Sequence, residues 1–237
     1  MAPRGRRRRQ RDITARDLAD YGSPAAGTVN IDAAARGLGV ARSSVRQALS
    51  RAKAALSSTF LRRLSGRREA DVSEGASARG MLQAAFGRGP RGAAVNANAA
   101  ARALGVSPGT VRRWAAGTQN PSAEHLQALR SSARRATATK AGRRAATADF
   151  RASPQGRQGL RVGSKLWISG TQGPRDYPRD RDISVDISPQ QLDALLTGYE
   201  QGGDRGLIAG LTDFVDTNYL ADWEFLSIDD LSIGEPD

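Results

Sequence analysis

A 22-residue stretch of this chain occurs twice, and the two copies align without a gap. Val29–Ser50, VNIDAAARGLGVARSSVRQALS, lies over Val95–Ala116, VNANAAARALGVSPGTVRRWAA, at an offset of 66, with eleven of the 22 positions identical. The identities include Val29/Val95, Arg36/Arg102, Gly39/Gly105, Val45/Val111 and Arg46/Arg112. In an alanine-rich chain a few matches come cheaply, but the shared spacing Ala-x3-Gly-x5-Val does not. A small residue lets two helices approach, Gly accepts a left-handed turn between them, and Val fills the core they enclose. Ala35, Gly39 and Val45 take these places in the first copy, and Ala101, Gly105 and Val111 in the second. The spacing predicts two tandem helix-turn-helix units.

In the second copy Ser107 is a good N-cap and Pro108 suits the first helical position, so a helix should begin there. Its outward face offers Thr110, Arg112 and Arg113 beside Ser107, while Trp114 turns toward the core. Pro121 and Ser122 can open a further helix. Ser43, Ser44, Arg46 and Gln47 form the matching face of the first copy. These are the residues expected to meet DNA, in major grooves about one turn apart if both units dock on one face. Beyond the repeat the first copy continues as QALSRAKAALSSTFLRRLSG, which reads as one longer basic helix. Its Leu49, Leu56, Phe60 and Leu64 have ordinary amphipathic spacing for packing within the unit; a homodimer through the same face is the alternative.

Charge supports a polyanionic partner and divides the chain. The whole carries 36 Lys/Arg against 24 Asp/Glu, a formal +12. Residues 1–181 hold 35 of the basic residues and 11 of the acids, whereas residues 182–237 hold only Arg205 against 13 acids. Such asymmetry suggests a nucleic-acid-binding part joined to a part with another job. At the start, Arg6, Arg7, Arg8 and Arg9 sit in an arm with nothing to bury, expected to be disordered until it contacts phosphate or a minor groove. After the second unit, Arg134, Arg135, Lys140, Arg143 and Arg144 can meet phosphates along a basic helix extension or linker. The absence of Cys excludes disulfides, zinc knuckles and thiol nucleophiles, and a single His125 leaves little room for His-based catalysis. No apolar run approaches the ~20 residues of a membrane span, so the expected location is cytoplasmic and nucleoid-associated.

The expected organisation is a basic arm (1–12), a first helix-turn-helix unit (13–65), a flexible polar joint (66–80) and a second unit (81–135). A basic linker or helix extension (136–159) then leads to an acidic α+β domain (160–237). In that last domain Leu160–Ile168 and Ile183–Ile187 look like strands joined by the loop Ser169–Asp182. Ser188-Pro189 opens a helix that Gly202-Gly203 ends, Asp204 to about Leu220 makes another, and Trp223–Ile228 with Leu231–Ile233 suggests a last strand. The fold class is therefore mainly α plus α+β: two tandem helix-turn-helix units followed by a small β-β-α-α-β domain, its helices covering one face of a mainly antiparallel sheet.

This order of parts resembles the terminal proteins of linear Streptomyces chromosomes and plasmids. The resemblance covers roughly residues 95–233. It rests on ALGVSPGTVRRWAAGTQNPSAEHLQALR, on the hairpin ending DISVDISPQQLDALL, and on the tail TDFVDTNYLADWEFLSIDDLSI. The duplicated reader in the first 90 residues departs from the family pattern. What the resemblance implies is telomere capping and protein priming: a polymerase adds the first nucleotide to a side-chain hydroxyl, filling the strand opposite a 3′ overhang. The family's priming Thr lies in the hairpin loop, where this chain offers Ser169, Thr171 and Tyr177. No Thr falls at the equivalent place; Tyr177 is nearest, between Arg175 and Arg179, and Thr171 keeps the residue type. The implied partners are DNA (a telomeric end or 3′ overhang), a DNA polymerase and a telomere-binding recruiter. No resident cofactor is expected; Mg²⁺ comes with the polymerase. The acidic domain would dock a basic partner.

A different class of function stays open, a transcriptional or plasmid-maintenance regulator with two helix-turn-helix units. A catalytic enzyme is poorly supported, with no G-x4-G-K-[ST] or paired-carboxylate motif. Asp180, Asp182 and Asp186 could bind a metal on the hairpin, but strand-edge acids are the commoner meaning.

Overall fold

The computed structural model describes residues 12–234. The first unit comprises α1 (Ala15–Ala19), α2 (Ile31–Leu38) and α3 (Arg42–Arg63). The second comprises α4 (Ala78–Phe86), α5 (Ala97–Leu104), α6 (Pro108–Ala116) and α7 (Ala123–Ala138). The offset of 66 recurs in the boundaries: α2 and α5 start and stop one offset apart, and so do the starts of α3 and α6. Asn30 and Asn96 cap them alike, accepting the amides of Ala33 and Ala99 at 3.0 and 3.1 Å. Gly39 (φ 64°) and Gly105 (φ 68°) make the left-handed turn in each copy. One residue then separates the copies. Gly117, at φ 72°, stops α6, whereas the aligned position holds Arg51 and α3 runs on to 22 residues.

The far half of α3 overturns the expectation of separate units. Leu56, Phe60 and Leu64 enter the core of the C-terminal domain, and Leu61 joins the core of the second unit. The face considered for a homodimer is therefore used inside the chain. Only the near half of α3, through Val45 and Ala48, belongs to the first unit's own small core with Leu18, Ala34 and Ala35.

The expected joint at 66–80 is packed rather than flexible. Ala70 and Val72 are buried in the second unit's core, and residues 78–80 already belong to α4. Arg67 is 5% exposed; it donates to Asp149 and, at 2.8 Å, to the Ala84 carbonyl. Small side chains and one satisfied guanidinium bury the segment without the large apolar residues that would have marked it. The segment 136–159, expected as a basic linker or helix extension, is helical and packed. Thr139 caps α8 (Lys140–Ala152), Ser153-Pro154 opens α9 (Pro154–Val162), and Phe150 is buried in the C-terminal core.

The C-terminal domain holds β1 (Ser164–Pro174), β2 (Arg179–Ile187), α10 (Pro189–Asn218), β3 (Trp223–Phe225) and β4 (Asp230–Ile233). Residues 160–162 are the end of α9, so the first strand starts later than its sequence suggests. β1 pairs β2 along one edge and both short strands along the other, all antiparallel. The β1–β2 ladder extends to Gln172↔Arg179, which shrinks the expected loop 169–182 to residues 175–178. Gly170 and Gly173 read as loop residues but lie in β1, where a Cβ would meet the Ser227 carbonyl at 2.3 Å and the Tyr177 carbonyl at 2.8 Å. α10 breaks into two helical halves at Gly203 (φ 63°), as the Gly pair predicted. The observed class is thus mainly α with a small antiparallel sheet.

Much of the acidic surface faces the chain's own arginines. Arg63 forks onto Asp230 at 3.0 and 2.6 Å, Arg151 bridges Asp193 and Glu200, and Arg16 of α1 pairs with Asp180 of β2. Ser23 donates to the Phe225 carbonyl at 2.7 Å and fastens the first unit to the end of β3. Asp204 accepts from Ser57 of α3. Burial pushes the Asp204 carboxyl above the usual carboxylate range, and the Ser57 bond, Lys53 and Arg143 pull it partly back. A raised carboxyl binds its proton more tightly in the folded chain. Stability therefore falls as pH rises from about 4 through the folded value. Asp204→Asn should raise the melting midpoint at neutral pH and lose that advantage below about pH 4, read by thermal unfolding across pH.

Candidate nucleic-acid interface and hairpin tip

The outer face of α6 is held in order before any ligand arrives. Ser107 accepts the Thr110 amide at 3.1 Å and shares a hydroxyl contact with Thr110 at 3.0 Å. Arg113 donates to Thr110 Oγ1 at 3.2 Å and through Nε to Gln119 at 2.9 Å, so its guanidinium is splayed along the surface. Arg112 is exposed beside it. Gln119 escaped the sequence reading because it lies in the loop beyond the reading helix. On the inner face Val111 and Trp114 are buried, and His125 packs against Trp114 at 5.3 Å while its Nδ1 lies 2.7 Å from Ser122 Oγ. The lone histidine holds α6 against α7. In the first unit Ser43, Arg46 and Gln47 are exposed and Ser44 is half-buried; Arg42 pairs with Asp32 at 2.7 Å across the turn.

The helix-turn-helix family model matches residues 96–131, from the cap of α5 into α7. Residues 96–131 are a helix-turn-helix DNA-binding domain. No curated protein and no solved structure was found to match the chain. For this domain, Arg113→Ala should cost about 1–3 kcal/mol of affinity for a specific site and relax discrimination there, measured by competition binding against mismatched duplexes.

The basic residues beyond the domain have different fates. Arg134 and Arg135 on α7 and Lys140 and Arg144 on α8 are exposed, as phosphate contact requires. Arg143 is not available. It is 7% exposed and donates through Nε to the carbonyls of Tyr199 (2.8 Å) and Glu200 (3.1 Å), through Nη1 to Thr137 (2.9 Å), and through Nη2 to Gln201 (3.2 Å). Those α10 carbonyls are the ones left unpaired where the helix breaks at Gly203, and they carry the negative end of its dipole. The expected DNA contact is a helix cap. Arg6, Arg7, Arg8 and Arg9 lie outside the described residues.

The three hairpin hydroxyls also part company. Ser169 lies opposite Asp182 and Asp230 in the sheet, half-buried. Thr171 donates to Asp180 at 2.7 Å, and its own amide and carbonyl are held by Ser227 and Leu226. Neither belongs to the loop. Tyr177 does: it is 62% exposed at the tip, its amide closes the turn on the Pro174 carbonyl at 2.8 Å, and the Arg179 guanidinium lies 5.2 Å from its ring centroid. The Arg175 amide ties the tip to Asp222 at 2.9 Å. Leu220 lines a cavity with Arg175 and Asp176, and both it and neighbouring Tyr219 are about half exposed. Among the described residues the exposed large apolar side chains are Val162, Tyr177, Tyr219 and Leu220. Asp180 is occupied by Arg16 and Thr171, and no cluster of three or more potential metal ligands occurs among the described residues. None of those residues forms a helix long and apolar enough to cross a membrane.

Proposed function

We propose that this chain is a DNA-end protein primer: the helix-turn-helix domain holds it on DNA, and Tyr177 accepts the first nucleotide from a polymerase. The observation that carries the reading is the exposed phenol at the tip of a two-stranded hairpin, flanked by Arg175 and Arg179. A nucleophile that must enter another protein's active site has to project from its own fold, and adjacent cations suit an incoming triphosphate. In the transfer the phenol oxygen attacks the α-phosphorus of a deoxynucleoside triphosphate. A Tyr–O–P bond forms, the α–β phosphoanhydride breaks, pyrophosphate leaves, and the phenolic proton passes to solvent or a polymerase base. The product carries a free 3′-hydroxyl for extension. The Mg²⁺ and the catalytic machinery belong to the polymerase, so the chain itself is substrate and anchor rather than enzyme. The exposed Tyr219 and Leu220 beside the tip are the apolar surface a polymerase would cover. With Asp193, Glu200 and Asp230 engaged by the chain's own arginines, a basic recruiter would have to use the remaining acids.

Incubating the protein with a replicative polymerase, Mg²⁺ and a labelled deoxynucleotide should yield a labelled band on a denaturing gel. No label, together with a tight footprint on an internal palindrome, would favour the second reading, a helix-turn-helix regulator. The tandem repeat supports that reading, since two reading helices on one chain stand in for a dimer.

A further inference from the structure

A second cationic site lies away from both reading helices. A cleft of about 520 Å³ opens between the end of α3, the loop after it, the α8–α9 junction and β4. Arg62, Arg63, Arg68 and Arg88 line it, together with Ser153 and Gln155. Arg63 is neutralised by its fork onto Asp230. The other three are not. Arg62 is positioned by neutral groups, the Thr59 hydroxyl at 3.0 Å and the Ala70 carbonyl at 3.3 Å. Among the described residues the Arg88 guanidinium reaches only the Gly92 carbonyl, at 3.4 Å, and the Arg68 guanidinium has no hydrogen-bond or ion-pair partner. The nearby acids are already taken, Asp149 by Arg67 and Glu69 by Arg79. Three guanidinium groups with no acidic partner among the described residues surround one concave surface, and they concentrate positive potential there.

We infer that this cleft seats the phosphodiester backbone of single-stranded DNA. Guanidinium forks match phosphate oxygens. Arg88 lies in the segment joining α4 to α5, which leads directly into the DNA-binding domain. A duplex presents its phosphates on a convex cylinder and would touch only the rim, whereas a single strand can enter a cleft of this size. Phe150 lines the wall but is 1% exposed, so no ring is offered for base stacking. The site therefore reads backbone charge and tolerates any sequence. It depends on DNA as the ligand and not on priming; a chain that fails to accept nucleotide would leave it standing.

The test is fluorescence anisotropy of the full chain with a short labelled oligothymidylate and, separately, with a duplex bound by the helix-turn-helix domain. Arg68→Ala/Arg88→Ala should weaken oligothymidylate binding about tenfold at low salt. The slope of log K on log salt should fall by about 1.4, two contacts at ~0.7 each. Duplex affinity and melting midpoint should hold, and Arg68→Lys/Arg88→Lys should keep most of the single-strand affinity. Arg112→Ala/Arg113→Ala should do the opposite, losing duplex and keeping oligothymidylate. Unchanged oligothymidylate binding in the first double variant, or a loss confined to duplex, overturns the assignment.

Discussion

Tyr177→Phe is expected to reduce nucleotide labelling of the chain to background while leaving fold and DNA affinity intact. The substitution removes one oxygen from a side chain that is 62% exposed. The turn is held by the Tyr177 backbone, whose amide donates to Pro174 and whose carbonyl accepts from Arg181 at 3.3 Å, and neither needs the phenol. The aromatic ring stays under Arg179, so the charge around the tip is preserved. What goes is the oxygen proposed to form the new bond, and no amount of binding energy replaces a missing nucleophile. Thr171→Val supplies the contrast. It deletes the hydroxyl given to Asp180 but keeps a β-branched residue in β1, so label should persist at a similar rate. Alkali adds an independent check, since a tyrosyl phosphodiester resists base that cleaves a seryl or threonyl one. An alkali-labile label that survives Tyr177→Phe and disappears in Thr171→Val would move the attachment to Thr171.

The same assay cannot be run on a truncation, and the reason lies in α3. The charge break near residue 181 invites a cut that keeps the basic half and discards the acidic one. Yet β2, α10, β3 and β4 supply most of the core into which Leu56, Phe60, Leu64 and Phe150 pack. Removing residues 182–237 would expose those side chains and take away Asp230 from Arg63, the α10 carbonyls from Arg143, and Asp193 from Arg151. Loss of function in such a fragment would report unfolding. Point substitutions at the tip and on α6 separate attachment from DNA binding without that cost.

Local rules were legible in the sequence where one residue type decides the backbone. Gly39 and Gly105, Ser107-Pro108, and the Gly202-Gly203 break all lie where their chemistry puts them. What composition could not reveal is long-range use of polar or small residues. Ala70 and Val72 bury a segment that reads as a linker, and Gly170 and Gly173 mark close backbone approach within a strand that reads as a loop. The cleft arginines are another case. Arg62, Arg68 and Arg88 lie apart in a sequence full of arginines, and only the fold brings them around one surface. Of the candidate hydroxyls, the sequence placed three in one loop; burial and hydrogen bonding distinguish them.

Arg143 shows the limit most sharply, because the type of residue suggested phosphate and the structure uses it against the protein's own backbone. Arg143→Ala should lower stability by about 3 kcal/mol, a fall of roughly 6–12 °C in melting midpoint for a chain of this size. Four carbonyl oxygens, of Thr137, Tyr199, Glu200 and Gln201, lose their donors at once, and three of them end the first half of α10. Water can re-enter at the rim, which keeps the cost below the sum of four lost bonds. Arg143→Lys should recover only part of it, since one ammonium cannot span oxygens that a planar fork reaches from Nε, Nη1 and Nη2 together. If Arg143 acted instead by binding phosphate, the alanine variant would melt normally and lose DNA affinity with a shallower salt slope. The expected pattern is the reverse: a lower midpoint, with the DNA affinity of the remaining folded protein and its salt slope unchanged, because Arg134, Arg135, Lys140 and Arg144 stay exposed.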